Sequence, residues 1–310
     1  MSAASSSLSN AQDADGGVPD FLTIGHITRD LHPDGTFSLG GTVTFAALTA
    51  YHLGQVAAIV TCADPQLSAQ LPTLLPGIAL HVLPSAHTTT FMNVYSDGFR
   101  TQYLYARADI LQPGAVPSAW LHAPVVLLGP LAQEFGPDLV KLFPRSPARL
   151  LAATPQGWLR RWDADGRVWP TPWQEADQVL PDLDVLILSH DDLLPFANGN
   201  RAEADAILSR WSMTVPFLVA TDGRHGATLF HRGRSRHFPA YPAHEVDPTG
   251  AGDVFAAAFL IHLSRSRNPH EAVNFANCVA SFSVEQPGAT GIPTPAMVAT
   301  RLHPIATDQA

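Results

Sequence analysis

DPTGAGDVFAAAFLIHL, Asp247 to Leu263, joins a sharp bend to an apolar helix. Pro248 fixes the bend, Gly250 and Gly252 reach backbone conformations closed to other residues, and the Ala- and Phe-rich run that follows reads as a buried helix. Such a start leaves main-chain amides without intrahelical partners at the positive end of the helix dipole, and together these bind an anion. A plain tight turn, with Asp253 favouring the dipole by roughly 0.3 to 1 kcal/mol, accounts for the glycines equally well. Asp253 separates the two readings. A carboxylate about 4 Å from a bound anion repels it by about 4 kcal/mol at an effective dielectric near 20, more than the dipole returns. A carboxylate kept there has another role. A hydroxyl placed between Asp253 and the anion would use it as a base on attacking a phosphoryl group, and the amides of Gly250, Ala251 and Gly252 would meet the developing charge.

Upstream of this loop, from Phe21 onward, short apolar runs alternate with helical segments. This is the pattern of parallel strands joined by right-handed helical crossovers. FLTIGHI (Phe21–Ile27) opens the series, a helix is expected from about Thr44 to Leu53 with Gly54 as its stop, and VAAIVTCA follows as a strand. PVVLL, RLLAA, DVLILS and FLVAT read as further strands, with EFGPDLVKLF and RAEADAILSRW as helices between them. The fold class is α/β, a doubly wound, mostly parallel sheet flanked by helices. Two segments break the alternation. HTTTFMNVYSDGFRTQYLYAR (His87–Arg107) is a hairpin around Asp97-Gly98 that projects from a parallel sheet as a small β lid, and ATLFHRGRSRHFPAY (Ala227–Tyr241) is an antiparallel edge feature. Residues 1–20, rich in Ser, Ala and Asp, read as a disordered tail. Residues 21–303 read as one domain, with lid elements at about 28–42 and 87–108.

Composition prunes the alternatives. The chain is 46% hydrophobic and 15% charged, with net charge −9 and no basic cluster, which argues against nucleic acid or an anionic membrane as partner and for a small molecule. No apolar run reaches the ~18 residues of a membrane span. Lys141 is the sole lysine and lies outside any glycine-rich loop, so a Walker P-loop and a pyridoxal-phosphate Schiff base are both unexpected. The 14 histidines lack metal-site spacing. Two cysteines, Cys62 and Cys278, supply no disulfide framework, and a reducing cytoplasm is the natural compartment.

DPTGAGD followed by Phe255 resembles the C-terminal signature of the PfkB or ribokinase family of carbohydrate kinases. Further elements lie in that family's order: Gly25 and Asp30 (GxxxxD), the Gly40-Gly41 pair, Asp97, Gly98 and Arg100 (DGxR), Thr221, Gly223 and Gly226 (TxGxxG), and Asn277 with Gly288 and Ala289. The resemblance implies a ribokinase-like fold, Asp253 as general base, and Gly250 to Gly252 as the anion hole. It also implies Asp30, Gly40, Gly41, Phe45 and Arg100 at the substrate, and Thr221, Gly223, Gly226 and Asn277 around ATP. A carboxylate at Asp30 matches two vicinal hydroxyls of a polyol; Asp34, in the same turn, is its rival.

Departures from the family pattern bear on cofactor and substrate. The NxxE element that organises Mg2+ becomes Ser189-His190-Asp191-Asp192, leaving Asp192 as the metal-side acid with a shorter reach. DPNxR becomes TPQG followed by WLRRW, whose Arg160 and Arg161 are expected to face solvent. Phe45 stands where ribose- and fructose-specific members carry Asn, and GGxxxF, HTTTF and PAHEVDPTGAGD look most similar to the myo-inositol kinase branch. Phe45 also suits helix packing, so both roles stay open. The resulting expectation is a cytoplasmic ATP-dependent kinase of a sugar or cyclitol hydroxyl. A nucleoside or vitamin-precursor kinase and a non-catalytic sugar or nucleotide sensor are the alternatives. A monovalent cation near the loop and a homodimer through the β lid are left open.

Overall fold

The computed structural model describes residues 17–96 and 99–304. Among these a nine-stranded sheet runs, in spatial order, Arg234–Phe238, Ala227–His231, Phe217–Thr221, Val185–Ser189, Leu150–Ala153, Val125–Leu128, Phe21–Ile24, Ala57–Ala63 and Ala79–Pro84. The seven strands from Phe217 onward are parallel, and the first two pair antiparallel at the edge. Successive side chains point to opposite faces. Phe21, Ile59 and Leu127 join one core cluster and Leu22, Val60 and Val126 the other, which is why these strands read as unbroken apolar runs. The first cluster is closed by the helices Thr42–His52, Ala251–Ser266 and Pro269–Ser283. Ala251–Ser266 buries every residue from Val254 to Ile261 between the sheet and its neighbours, as its lack of a polar face requires.

A second sheet of four strands, ordered Phe37–Gly40, Thr28–Leu31, Thr89–Ser96 and Phe99–Ala106, is built from two separate stretches of chain. Thr28–Leu31 pairs parallel with Thr89–Ser96, and the other pairings are antiparallel. Asp97 and Gly98 lie outside the described residues, as do residues 1–16 of the N-terminal tail. His26, fully buried, fastens this sheet to the large one. Its Nε2 is 3.0 Å from the Asp109 carbonyl and so carries the proton, leaving Nδ1 to accept from the Thr89 hydroxyl at 2.7 Å. Arg29 adds a salt bridge of 2.7 Å to Asp64, whose carboxylate also caps the helix Pro65–Leu74.

One expected helix is nearly absent. Between Glu134 and Phe143 only Pro137–Val140 is helical. The Glu134 carboxylate instead accepts from the amides of His26 (2.9 Å), Leu131 (2.9 Å) and Ala132 (2.7 Å), fixing the preceding residues as a nest. No helix among the described residues is long and apolar enough to cross a membrane.

Candidate active site

The site gathers at the carboxyl ends of the parallel strands, flanking the point where strand order reverses around Phe21–Ile24, the place where open α/β sheets leave a crevice. Glycines make that crevice narrow. Gly25 follows Phe21–Ile24 and Gly129 follows Val125–Leu128, and a Cβ on Gly25 would overlap the Gly129 carbonyl. A Cβ on Gly129 would lie 2.5 Å from the Thr42 methyl.

Gly250 caps the helix Ala251–Ser266 with φ +76°, and a Cβ there would overlap the Phe45 ring. The Phe45 side chain is thus spent holding the turn from beneath. At 3% exposed it belongs to the core, the packing role of the two its sequence position allows. Ala251 closes its N–H on the Pro248 carbonyl at 3.2 Å, so it does not share the anion-binding part read for it; Gly250 and Gly252 keep amides outside the helical ladder. Asp247 locks the turn from the other side, accepting from Thr249 N–H at 2.9 Å and from Gly288 N–H at 2.8 Å. Those bonds hold its carboxyl below the ordinary range even though burial opposes them.

Asp253, in the first turn of this helix, is partly buried. Burial pushes its carboxyl up to about 6, while a hydrogen bond from Thr42 and the charge of Arg160 pull the other way, and Asp192 and Asp30 add to the rise. Three carboxylates from three different elements therefore share one electrostatic neighbourhood with one guanidinium. Asp30, on the strand Thr28–Leu31, accepts from the Thr28 hydroxyl at 3.1 Å, and its carboxylate occupies the space a Cβ on Gly40 would need. Gly41, at φ +96°, brings the chain against the His26 carbonyl and starts the helix Thr42–His52. The rival Asp34 lies in an exposed turn, accepting from Thr36 N–H at 2.9 Å.

Asp192 ends a capping box: its Oδ2 accepts from Ser189 N–H at 3.1 Å, and the Ser189 hydroxyl accepts from Asp191 N–H at 3.2 Å. Burial raises the Asp192 carboxyl, against Arg160 and a hydrogen bond from Gln156. Arg160 is not turned to solvent, in contrast to the expectation from sequence. It is half-buried, acts on both Asp192 and Asp253, and its guanidinium carbon lies 5.9 Å from the centre of the Phe91 ring in the second sheet. Arg161, its neighbour, does face out and pairs with Asp163 at 3.0 Å. A doublet of arginines on one short strand puts successive side chains on opposite faces, so a single exposed role for both was never available. Gln156 and Phe91 stand in the TPQG and HTTTF stretches, but neither those stretches nor the x position that Thr42 takes in GGxxxF says that these side chains act on the buried acids.

The remaining residues line up beside the antiparallel edge. The Thr221 hydroxyl donates to the Leu188 carbonyl at 3.3 Å, and Gly223 follows in a short exposed turn. Gly226, at φ +100°, approaches the Phe238 carbonyl so closely that no Cβ fits. Asn277 is buried and its Nδ2 donates to the carbonyls of Phe238 (3.3 Å) and Pro239 (3.1 Å), so its amide braces the chain beside the Gly226 turn. Arg100 pairs with Tyr95 through the backbone, and its side chain lies outside the described residues.

Residues 163–297 match the model of the pfkB family of carbohydrate kinases. The match lies in the C-terminal part of the chain and includes DPTGAGD. Among curated relatives, a probable fructokinase-5 of Arabidopsis thaliana is 29% identical over 169 residues, 48% of this chain and 50% of the relative. The chain spans about half the length of the fructokinases it matches. A cytidine kinase of Thermococcus kodakarensis is 25% identical over 272 residues, 82% of this chain and 92% of its own. The fold is that of the ribokinase-family kinases. A pyrophosphate-dependent kinase in that family, solved with a pyrophosphate analog and myo-inositol, superposes with TM-score 0.76 at 23% identity over 91% of this chain and 99% of its own. DPTGAGD and the acids Asp30, Asp192 and Asp253 are thus set in a ribokinase-like fold.

Proposed function

We propose that this PfkB-family chain transfers the γ-phosphoryl group of ATP to a hydroxyl of a small sugar or cyclitol. The observation that carries the reading is Asp253 in the first helical turn behind the Gly250–Gly252 amides, with the charges of Arg160, Asp192 and Asp30 acting on its carboxyl. A carboxyl near 6 is mostly ionised at neutral pH yet basic enough to accept a proton, the compromise general-base catalysis favours. Asp30 accepts hydroxyl donors of the acceptor sugar. Asp253 takes the proton of the attacking hydroxyl. The amides of Gly250 and Gly252, with the Arg160 guanidinium, neutralise charge on the group in transit. The four-stranded sheet acts as a lid that excludes water, and Phe91 against Arg160 links its closure to that guanidinium.

Magnesium fits this arrangement in one form only. Asp192 is drawn into a capping box and a bond from Gln156, and no group of three or more His, Cys, Asp or Glu among the described residues could cage an ion. The residues present suit an ion carried mainly by the nucleotide phosphates and water, with Asp192 adding negative charge nearby, and its chemistry there is neutralisation of the phosphates.

The test is ADP formation with ATP across a panel of ribose, fructose, myo-inositol and cytidine, with pyrophosphate as an alternative donor. Turnover with one acceptor and ATP supports the reading; tight ligand binding without turnover for any member leaves only a sensor. A nucleoside acceptor is the second reading, favoured by the cytidine kinase alignment across most of the chain.

A further inference from the structure

A cavity of about 540 Å³ lies apart from the crevice, walled by residues 110–113, 133–139, Trp158 and 171–175. It includes none of Asp30, Asp192 and Asp253 and no residue of the Gly250–Gly252 turn. Its volume falls within the range of small-molecule pockets, roughly 300 to 1,000 Å³. The floor is aromatic. Trp158 and Trp173 stack at 4.8 Å with 15° between their planes, and Phe135 meets Trp158 edge-on at 5.7 Å. All three rings are buried, and the Trp158 indole N–H donates to the Phe135 carbonyl at 2.9 Å, so the floor is a fixed surface. The Trp173 indole nitrogen, in the same wall, has no hydrogen-bond partner among the described residues, although buried polar groups are normally paired. Charge at the cavity has one sign. Glu134, Asp138 and Glu175 line it, and no Lys, Arg or His does. Glu134 is committed to the amides of His26, Leu131 and Ala132, so the charge an occupant meets comes from exposed Asp138 and half-buried Glu175. Gly136 leaves space beside the latter: a Cβ there would lie 3.4 Å from Glu175 Oε2.

We propose that this cavity is a second small-molecule site, for an organic cation with a flat apolar body that rests on the Phe135, Trp158 and Trp173 floor and pairs with Asp138 and Glu175. Carboxylates with no cation among them repel phosphates and other anions, so the site is not a second place for a nucleotide. A positive group beside aromatic rings and acids gains from both. The cavity also sits at a joint. Trp158 and Thr171 stand just outside the two ends of the hairpin formed by Arg160–Trp162 and Val168–Pro170, closed by the Thr171 N–H on the Leu159 carbonyl at 2.9 Å. The turn of that hairpin reaches the outer strand of the second sheet, where Leu104 N–H donates to the Gly166 carbonyl at 2.8 Å. Leu111, just past the same strand, donates its N–H to the Glu134 carbonyl at 2.7 Å. An occupant therefore touches the segments that tie the second sheet to the body of the protein.

The experiment is isothermal titration calorimetry of the full chain at neutral pH with tryptamine, tryptophol and indole-3-acetate, which present one flat body as a cation, a neutral alcohol and an anion. Wild type is expected to bind one tryptamine per chain, about tenfold or more tighter than tryptophol, with no saturable binding of indole-3-acetate. In the double variant Asp138→Asn/Glu175→Gln, tryptamine should fall to the affinity of tryptophol, which itself stays within about twofold of wild type. Gly136 has φ −119°, open to any residue, so Gly136→Phe fills the cavity without backbone strain and should abolish binding of both. Tryptamine that does not saturate wild type by about 10 mM overturns the proposal. So does an anion that binds as well as the cation, or a cation preference that survives the double variant. A folded Gly136→Phe protein, checked by circular dichroism, that still binds tryptamine overturns it too; if that variant does not fold, the double variant decides alone. No arm depends on turnover, so the result stands apart from the kinase reading.

Discussion

Replacing Asp253 by Asn separates the two consequences of burying that carboxylate. A folded-state rise from the ordinary 3.8 to about 6 corresponds to about 3 kcal/mol of destabilisation at neutral pH. The group takes up a proton on folding between about pH 4 and pH 6. The penalty is therefore fully present above pH 6, fades as pH falls through that window, and is gone below pH 4. Asn carries no charge to desolvate and still offers Thr42 an acceptor. Its substitution should thus relieve up to about 3 kcal/mol at pH 7.5, seen as a melting temperature a few degrees above wild type, and nothing at pH 4. In the same protein kcat should fall by about 10² to 10⁴, the usual contribution of a general base. The assays are thermal unfolding at pH 4 and 7.5 and steady-state ADP release on the acceptor found in the panel. A variant within tenfold of wild-type turnover refutes Asp253 as base. A variant destabilised at pH 7.5 refutes the burial argument, since the wild-type charge would then be adequately solvated.

Arg160→Gln should lower kcat/KM by about 10² to 10³, the scale of one lost donor to a transition-state charge, and move the acid limb upward, whereas Arg161→Gln should stay within about twofold in the same assay. Gly250→Ala combines a left-handed φ of +76° with overlap of the Phe45 ring; urea unfolding should show a loss of about 2 kcal/mol or more, and an unchanged midpoint would contradict the packing described. Gly40→Ala drives a Cβ into the Asp30 carboxylate, so acceptor KM should rise about tenfold or more while ATP KM stays within about twofold, read from paired saturation curves.

Legibility followed the range of the physics. Strand runs such as VLILS and the apolar helix after Gly250 are readable because burial on both faces needs apolar residues throughout, a local property of the sequence. Asp253 is readable because a carboxylate beside anion-binding amides is a local conflict. The helix around Pro137–Val140 is shorter than its apolar spacing suggests, since that spacing says nothing of a Glu134 carboxylate already committed to the amides of residues 26, 131 and 132. Solvent is the natural expectation for Arg160 for the same reason: a charge in isolation is cheapest in water, and only the approach of Asp192, Asp253 and Phe91 from three other elements changes that balance.

By itself, then, the sequence determined the alternation of strand and helix, the turn that presents amides, and the aspartate set against it, all consequences of side chains acting within a few residues of their own backbone. Tertiary structure alone decided which groups surround that aspartate. Thr42, Arg160, Asp192 and Asp30 all lie far from Asp253 along the chain, and the glycine contacts at the strand ends let Thr42 approach where any Cβ would block it. A charge takes its proton affinity from neighbours in space, and those are fixed only when the sheet, the second sheet and the helices have packed.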